Sequence, residues 1–324
     1  MELLSRSAFE DAWRWVRPSV HYTPLLSFHT LGKRLGTPAY LKCENLQKTG
    51  SFKVRGALNA IAALDDAERH RGVVTISAGN HAQAVAWAAA QSGIRSKIVM
   101  PETASPIKVV ATEGYGGEVV LHGTSAEAFV EAGRIAEEEG LVFLHPFDAE
   151  AVVAGHGSVG LELEEQLPGP LQVVVPVGGG GQISGVAGAL ATGPDRHRVF
   201  GVEPVGASAM KQSLEAGTPV TLESTDTIAD GLAPPMAGTI NFQYVQSCVE
   251  DVVTVSDDEI LQAMALIMTR AKQVVEPSGA AAVAALMFGK VPLTTNAPVV
   301  AILSGGNVDA QWVSEALDRG FSWP

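Results

Sequence analysis

The chain has 324 residues, 46% of them hydrophobic and 18% charged, which excludes a low-hydrophobicity disordered chain and suits two domains at roughly 100 to 200 residues each. Twenty-two Lys and Arg against 35 Asp and Glu give a net charge of −13, so a phosphate backbone is repelled on average and no nucleic acid partner is expected. The two cysteines, Cys43 and Cys248, are too few for a disulfide framework or a Cys-based metal site, and the expected compartment is a reducing cytoplasm.

The first eleven residues carry Glu2, Arg6, Glu10 and Asp11 rather than the apolar run of a secretion signal, and no apolar stretch, 279–289 included, reaches the roughly 18 to 20 residues that span a bilayer. No membrane partner is expected. The run from Lys48 to Gly56 then places Lys53 just inside a probable helix and beside Phe52. Positive charge is disfavoured at a helix N-terminus, so such a lysine has a reason to lose its proton and become a nucleophile and a base. A solvated surface lysine is the alternative.

Residues 73–76 read as a strand and 82–91 as a helix, joined by Ser77, Ala78, Gly79, Asn80 and His81. That turn is a nest of small residues at a helix N-terminus, suited to a carboxylate or phosphate, with His81 as a cap or support. Strand 97–100 before helix 105–111, and strand 118–121 before helix 126–138, repeat the alternation, which reads as α/β with mostly parallel strands.

Strand 171–177 runs into Gly178, Gly179, Gly180 and Gly181 and a helix over 183–190. Residues without Cβ let backbone N–H groups approach an anion, and the helix dipole adds to the attraction, so a bound phosphate is the natural reading and a tight turn the alternative. The dinucleotide spacing G-x-G-x-x-G fails, because a frame from Gly178 meets Ile183 and one from Gly179 meets Ser184; no P-loop is present. Glu203, ending strand 198–203, would suit a ribose and keeps a nicotinamide site as a rival.

Residues 257–272 read as an amphipathic helix with Ile260, Met264, Ile267 and Met268 on its core face. Strand 299–303 ends in Ser304, Gly305, Gly306 and Asn307, and a hydroxyl at the carboxyl end of a parallel strand points into the ligand crevice of an open sheet. The eight histidines form no zinc grouping, and 157–160 lacks the glycine of a nucleophile elbow. Asp230 and Glu276 read as turn-formers or caps as readily as catalysts. There is no internal repeat, and two sets of strand–helix units fall before and after about Asp148.

Taken together these segments resemble the pyridoxal-phosphate enzymes of fold type II, with a tryptophan synthase β-like fold, in the serine/threonine dehydratase branch that includes serine racemase. The resemblance covers nearly the whole chain. It is carried by the run from His21 to Leu25, by Lys42 to Gln47 leading into Thr49 to Gly56, by Ser77 to Gln83 and Gly178 to Gly185, by Ile228 to Gly231 and Val275 to Pro277, and by Ser304 to Asn307. It implies two open, twisted, mostly parallel sheets with flanking helices: a large cofactor-binding domain of 1–64 and 149–324, a small mobile domain of 65–148, and an active site in the cleft between them.

By the same resemblance Lys53 forms the Schiff base with pyridoxal phosphate, Phe52 packs near its ring, and Gly178 to Gly181 hold its phosphate. Asn80 bonds the ring hydroxyl, Ser304 faces the pyridine nitrogen, and Gly231 and Glu276 line the cofactor. Ser77, Ala78, Gly79, Asn80 and His81 receive the substrate carboxylate. The implied reaction is β-elimination of L-threonine to 2-oxobutanoate and ammonia, with L-serine to pyruvate as a slower activity. Ser304 supplies no anion to a protonated pyridine, so the ring is a weaker electron sink and prompt loss of a β-substituent is favoured.

Ala78 stands where racemases of this branch carry a second serine, and Phe129 where hydroxyaspartate-active relatives place an arginine; serine racemase/dehydratase and threo-3-hydroxyaspartate dehydratase remain the alternatives. From another class, a nicotinamide-binding oxidoreductase or a non-catalytic binding module could use the same glycine loop. No metal is expected, because Ala207 and Ala209 offer no side-chain ligand beside Glu203. With 17 residues after Asn307, a C-terminal regulatory domain is not expected, and the branch implies a homo-oligomer, dimer or tetramer.

Overall fold

The computed structural model describes residues 3–323; Met1, Glu2 and Pro324, and with them the first two positions of the charged amino-terminal stretch, lie outside the described residues. Ten strands are present among these: β1 (Leu25–Ser27), β2 (Ala39–Cys43), β3 (Val73–Ile76), β4 (Ser96–Met100), β5 (Glu118–Leu121), β6 (Val142–Phe143), β7 (Gln172–Pro176), β8 (Arg198–Pro204), β9 (Asp251–Val255) and β10 (Val299–Leu303). They form a six-stranded sheet in the order β1-β2-β10-β7-β8-β9 and a four-stranded sheet in the order β5-β4-β3-β6. Every pairing is parallel except β1 with β2. The fold is thus α/β with two mostly parallel sheets.

Parallel strands covered by helices on both faces become continuous apolar runs, and β4, β7 and β10 are buried along their whole length. The alanine-rich helix Pro277–Met287 opens on proline, whose missing N–H costs nothing at that position, and buries every residue in the core of the larger sheet. The helix Ser125–Glu139 on the smaller sheet starts in a capping box of Thr124 and Glu127.

Where the elements depart from the sequence reading, the reasons are local. The amphipathic helix ends at Leu266 and loosens into a wider turn, Ile267–Ala271, before Lys272 takes a left-handed φ of 60°. Ile260, Met264 and Ile267 are buried, while Met268 keeps some exposure at that turn. The first two strands precede the division at about Asp148 yet join the larger sheet, because β2 pairs in register with β10, Ala39 opposite Val299 and Cys43 opposite Leu303. Cys43 is buried and unpaired, and Cys248 is also free.

Candidate active site

Open parallel sheets place ligands beyond the carboxyl ends of their strands. Three of the sequence segments meet there: Ser77 follows β3, the glycine run follows β7, and Ser304 follows β10. Lys53 is the first residue of the helix Lys53–Ala62, and its backbone is brought against the end of β10 by Phe52 N–H donating to Ser304 O (3.1 Å) and by a bridge between Ser51 and Gly305.

The Lys53 amine donates to Pro146 O at 3.0 Å and lies 5.3 Å from the Phe52 ring centroid. No carboxylate bonds to it among the described residues, and burial lowers its pKa to about 8. Three imidazoles surround this end of the cleft. His81 and His156 are held neutral, first by burial and then by the charge of Lys53, and burial likewise lowers His145. His81 is not a cap: its Nε2 pairs with Thr75 Oγ1 (3.1 Å), whose hydroxyl donates to Leu144 O (2.6 Å). Because that oxygen gives its proton away, His81 carries hydrogen on Nε2.

The glycine run is shaped by what surrounds it. A Cβ on Gly179 would fall 2.4 Å from the Phe147 ring, and one on Gly178 3.0 Å from Gly231 O; Gly180 has φ +94° and would meet Met210 at 2.7 Å. The helix Gly181–Ala191 starts directly behind, so the first-turn N–H groups, which have no acceptor within the helix, face the end of β7. Asn241 Nδ2 fixes the loop by donating to Gly179 O (2.8 Å) and Phe147 O (3.1 Å). The strap from His145 to Asp148 therefore touches both the Lys53 amine, through Pro146, and the phosphate-type loop, through Phe147.

Ser304 is 3% exposed and its hydroxyl donates to Ser278 O at 3.4 Å. A Cβ on Gly231 would lie 2.8 Å from Ser278 Oγ, which tucks that turn against the helix start at Pro277. Asn80 Nδ2 donates to Glu276 Oε1 (2.7 Å), and burial, with Asp230 second, raises Glu276 to about 8. Ser77 Oγ accepts from Gly79 N–H (3.1 Å), and a Cβ on Gly79 would meet nothing within 4 Å, so this turn stays open toward the cleft. Ala78 lies in the same turn. Phe129 stacks edge-on against Phe143 and His145.

The Glu203 carboxylate accepts the N–H groups of Met210 (2.8 Å) and Lys211 (2.9 Å) and caps the helix Ala209–Ala216, a structural role that accounts for it without a ribose. Among the described residues no group of three His, Cys, Asp or Glu could hold a metal.

Sequence reasoning passed over His145, Phe147, Asn241 and His156; the last three join the site by contacts across 62 to 104 positions, and His145 adjoins Pro146, which bonds the Lys53 amine. Their neighbourhoods are unremarkable as sequence. The one available signal was His156, a polar residue on an otherwise apolar helix face, whose ring packs edge-on to Phe52 at 4.7 Å and whose two nitrogens are buried without partners.

An α/β fold in which a buried lysine of lowered pKa and a glycine loop at a helix start face one cleft suits an enzyme that holds a phosphorylated aldehyde cofactor. Residues 16–305 match the pyridoxal-phosphate dependent enzymes, and the chain belongs to that family. It is 41% identical over 319 residues to an L-threonine ammonia-lyase of Geobacter sulfurreducens, covering 98% of this chain and 79% of the relative. It is 44% identical over 278 residues to a catabolic L-threonine dehydratase of Escherichia coli, covering 85% and 84% of the two chains. The structure of maize serine racemase superposes with a TM-score of 0.92 at 38% identity, covering 98% of each chain.

Pyridoxal phosphate is accordingly the cofactor, and the residues fit it. The lysine can be neutral, a glycine loop at a helix start offers N–H groups to a phosphate, and the buried hydroxyls of Thr49, Ser51 and Ser278 have no partner among the described residues. The helices of the described residues include none long and apolar enough to cross a membrane.

Proposed function

We propose that this protein is an ammonia-lyase that converts L-threonine to 2-oxobutanoate and ammonia, with L-serine to pyruvate as a slower reaction. The observation that carries the reading is the Lys53 amine, enclosed without an acid and lowered to about 8, on the chain that matches two threonine-cleaving relatives above 40% identity. Bound pyridoxal phosphate supplies an electron sink for the Cα–H bond pair of the amino acid.

The residues take the following parts. Lys53 would hold the cofactor and, with its amine free and neutral, would accept the Cα proton of the substrate on Nζ. The N–H groups of Gly178 to Gly181 would hold the cofactor phosphate, with Gly231 behind the loop, and Phe52 would bound the ring. Ser304 would be the neutral partner of the pyridine nitrogen, and Asn80 would bond the ring oxygen. The turn of Ser77, Ala78, Gly79, Asn80 and His81 receives the substrate carboxylate.

The Cα proton taken by Lys53 would be handed to the β-hydroxyl as the Cβ–O bond breaks, so that water leaves and Nζ is neutral again; the enamine product then takes up water to give the 2-oxo acid and ammonia. Ala78 has no proton to give to the opposite face of Cα, which favours elimination over racemisation. We infer further that 65–148 moves as a small domain, with Lys108 pairing with Asp230 (2.5 Å) and Asn80 with Glu276 (2.7 Å) across the closed cleft.

The test is release of 2-oxo acid and ammonia from L-threonine, L-serine and threo-3-hydroxyaspartate by the cofactor-loaded protein. Threonine should be fastest, and Lys53→Ala should lose at least about 100-fold in rate. Turnover led by hydroxyaspartate, or an active Lys53→Ala, would contradict the reading.

A further inference from the structure

Polar groups that can only accept or only donate fix the direction of a hydrogen-bond chain, and one such chain runs beneath Asn80. It begins at Thr49, a β-branched residue held at φ 57°, a left-handed conformation that costs on the order of 1–3 kcal/mol unless its surroundings enforce it. That conformation turns Thr49 O toward Asn307, whose Nδ2 donates to it at 2.7 Å. A carbonyl cannot donate, so the amide end of Asn307 that faces Thr49 must be its NH2 group.

The same nitrogen donates its second hydrogen to Asn80 at 2.7 Å, so the Asn80 atom there is the acceptor Oδ1. Asn80 therefore presents its own NH2 group to the other side, where one N–H meets Glu276 Oε1 at 2.7 Å. Glu276 Oε1 accepts this N–H in either protonation state: an ionised carboxylate only accepts, and where burial, which raises Glu276 to about 8, leaves it a neutral acid, Oε1 is the carbonyl oxygen. One N–H of Asn80 remains for a ligand.

Two glycines make room for the chain. A Cβ on Gly50 would fall 2.3 Å from Asn307 Oδ1, and one on Gly305 2.2 Å from Glu276 Oε1. Gly306 N–H donates to Gly50 O (2.9 Å) and Glu276 N–H to Gly305 O (3.2 Å), tying the two ends of the chain to the same backbone floor.

We propose that Asn307 and Glu276 are positioning residues that lock the Asn80 carboxamide in one orientation, so that it offers an N–H and never its carbonyl oxygen to the ring oxygen of the cofactor. This rests on the cofactor assignment above. A fixed donor stabilises the ionised ring oxygen, and the reversed amide would set oxygen against oxygen. Thr49 takes part by aiming the carbonyl from which the direction is read, which accounts for its conformation.

Asn307→Asp tests it, since a carboxylate at that site can only accept and invites Asn80 to turn its NH2 group toward residue 307. With pyridoxal phosphate bound, the variant should lose visible absorbance in favour of the near-ultraviolet band of the un-ionised ring oxygen, and release the cofactor at least fivefold faster on dialysis. Asn307→Ala, which removes the donor without adding charge, should shift the spectrum in the same direction by less, and carries the test if the aspartate variant does not fold.

In an Asn80→Ala background, Asn307→Asp should add no further spectral shift. An unchanged spectrum in both Asn307 variants, or an equal shift with Asn80 absent, would overturn the proposal. A wild-type protein that shows no absorbance band with added pyridoxal phosphate would instead overturn the cofactor site itself.

Discussion

Lys42 and Lys53 are both enclosed lysines, eleven positions apart, and the structure treats them in opposite ways. Lys42 Nζ bonds to the Glu162 carboxylate, to Thr23 O (3.0 Å) and to Gln166 Oε1 (2.9 Å). Arg55, two residues after Lys53, completes this cluster with Glu44 through paired bonds of 2.8 Å and with Glu162 at 2.7 Å, all four charged side chains being fully buried. Two cations face two anions, and Arg55 keeps Glu44 ionised against the burial that would protonate it. Lys53 has one carbonyl and neutral imidazoles about it.

The difference teaches that burial alone does not decide a lysine's chemistry. A buried cation with its own carboxylate is structural: breaking it is costly, but the intact pair does nothing chemically. A buried cation without one holds its proton less tightly, and its neutral form is reactive. On one helix turn the chain has both, and the cluster around Arg55 holds the backbone from which Lys53 projects.

Removing an anion from the balanced cluster gives the largest effect. Glu162→Ala strands both Lys42 and Arg55, and should cost about 3–5 kcal/mol of stability in a denaturant titration. A loss below 1 kcal/mol would mean that the cluster is not the anchor described here.

The pH dependence of the unbalanced lysine is next. In cofactor-free protein the neutral fraction of Lys53 rises with pH up to its lowered pKa, so the rate of recombination with pyridoxal phosphate should climb about tenfold per unit below about 8 and level off above it. A climb that continues toward the ordinary lysine range would show that burial is not acting on this amine.

The smallest expected change concerns the opposite face of the substrate. Ala78→Ser places a hydroxyl in the open turn, and slow formation of D-serine from L-serine should appear in a chiral assay while 2-oxo acid release persists. No D-serine above the wild-type level would remove Ala78 from the account of specificity.

The comparison also explains what could be read from sequence. Runs such as 73–76, 118–121 and 299–303 coincide with strands because β-branched residues suit the pleat and, in 73–75 and 299–303, the core as well. The glycine run, Lys53, Asn80 and Ser304 were legible because each sits at a strand end or helix start, where local chemistry and position agree. The two-residue strand β6 and the three-residue β1 were not, being too short to carry a period.

The balanced cluster was equally hidden. Lys42, Glu44, Arg55 and Glu162 span 120 positions, and nothing near Glu162 says that its partners lie on the Lys53 helix and on β2. The chain from Thr49 through Asn307 and Asn80 to Glu276 is of the same kind, written in pairings that only the fold brings together.

Which of the two enclosed lysines carries the cofactor is the most direct test. Borohydride reduction of the pyridoxal-phosphate-loaded protein, followed by peptide mapping, should find the pyridoxyl group on the peptide containing Lys53 and none on that containing Lys42. Label on Lys42, or no covalent label at all, would contradict the account.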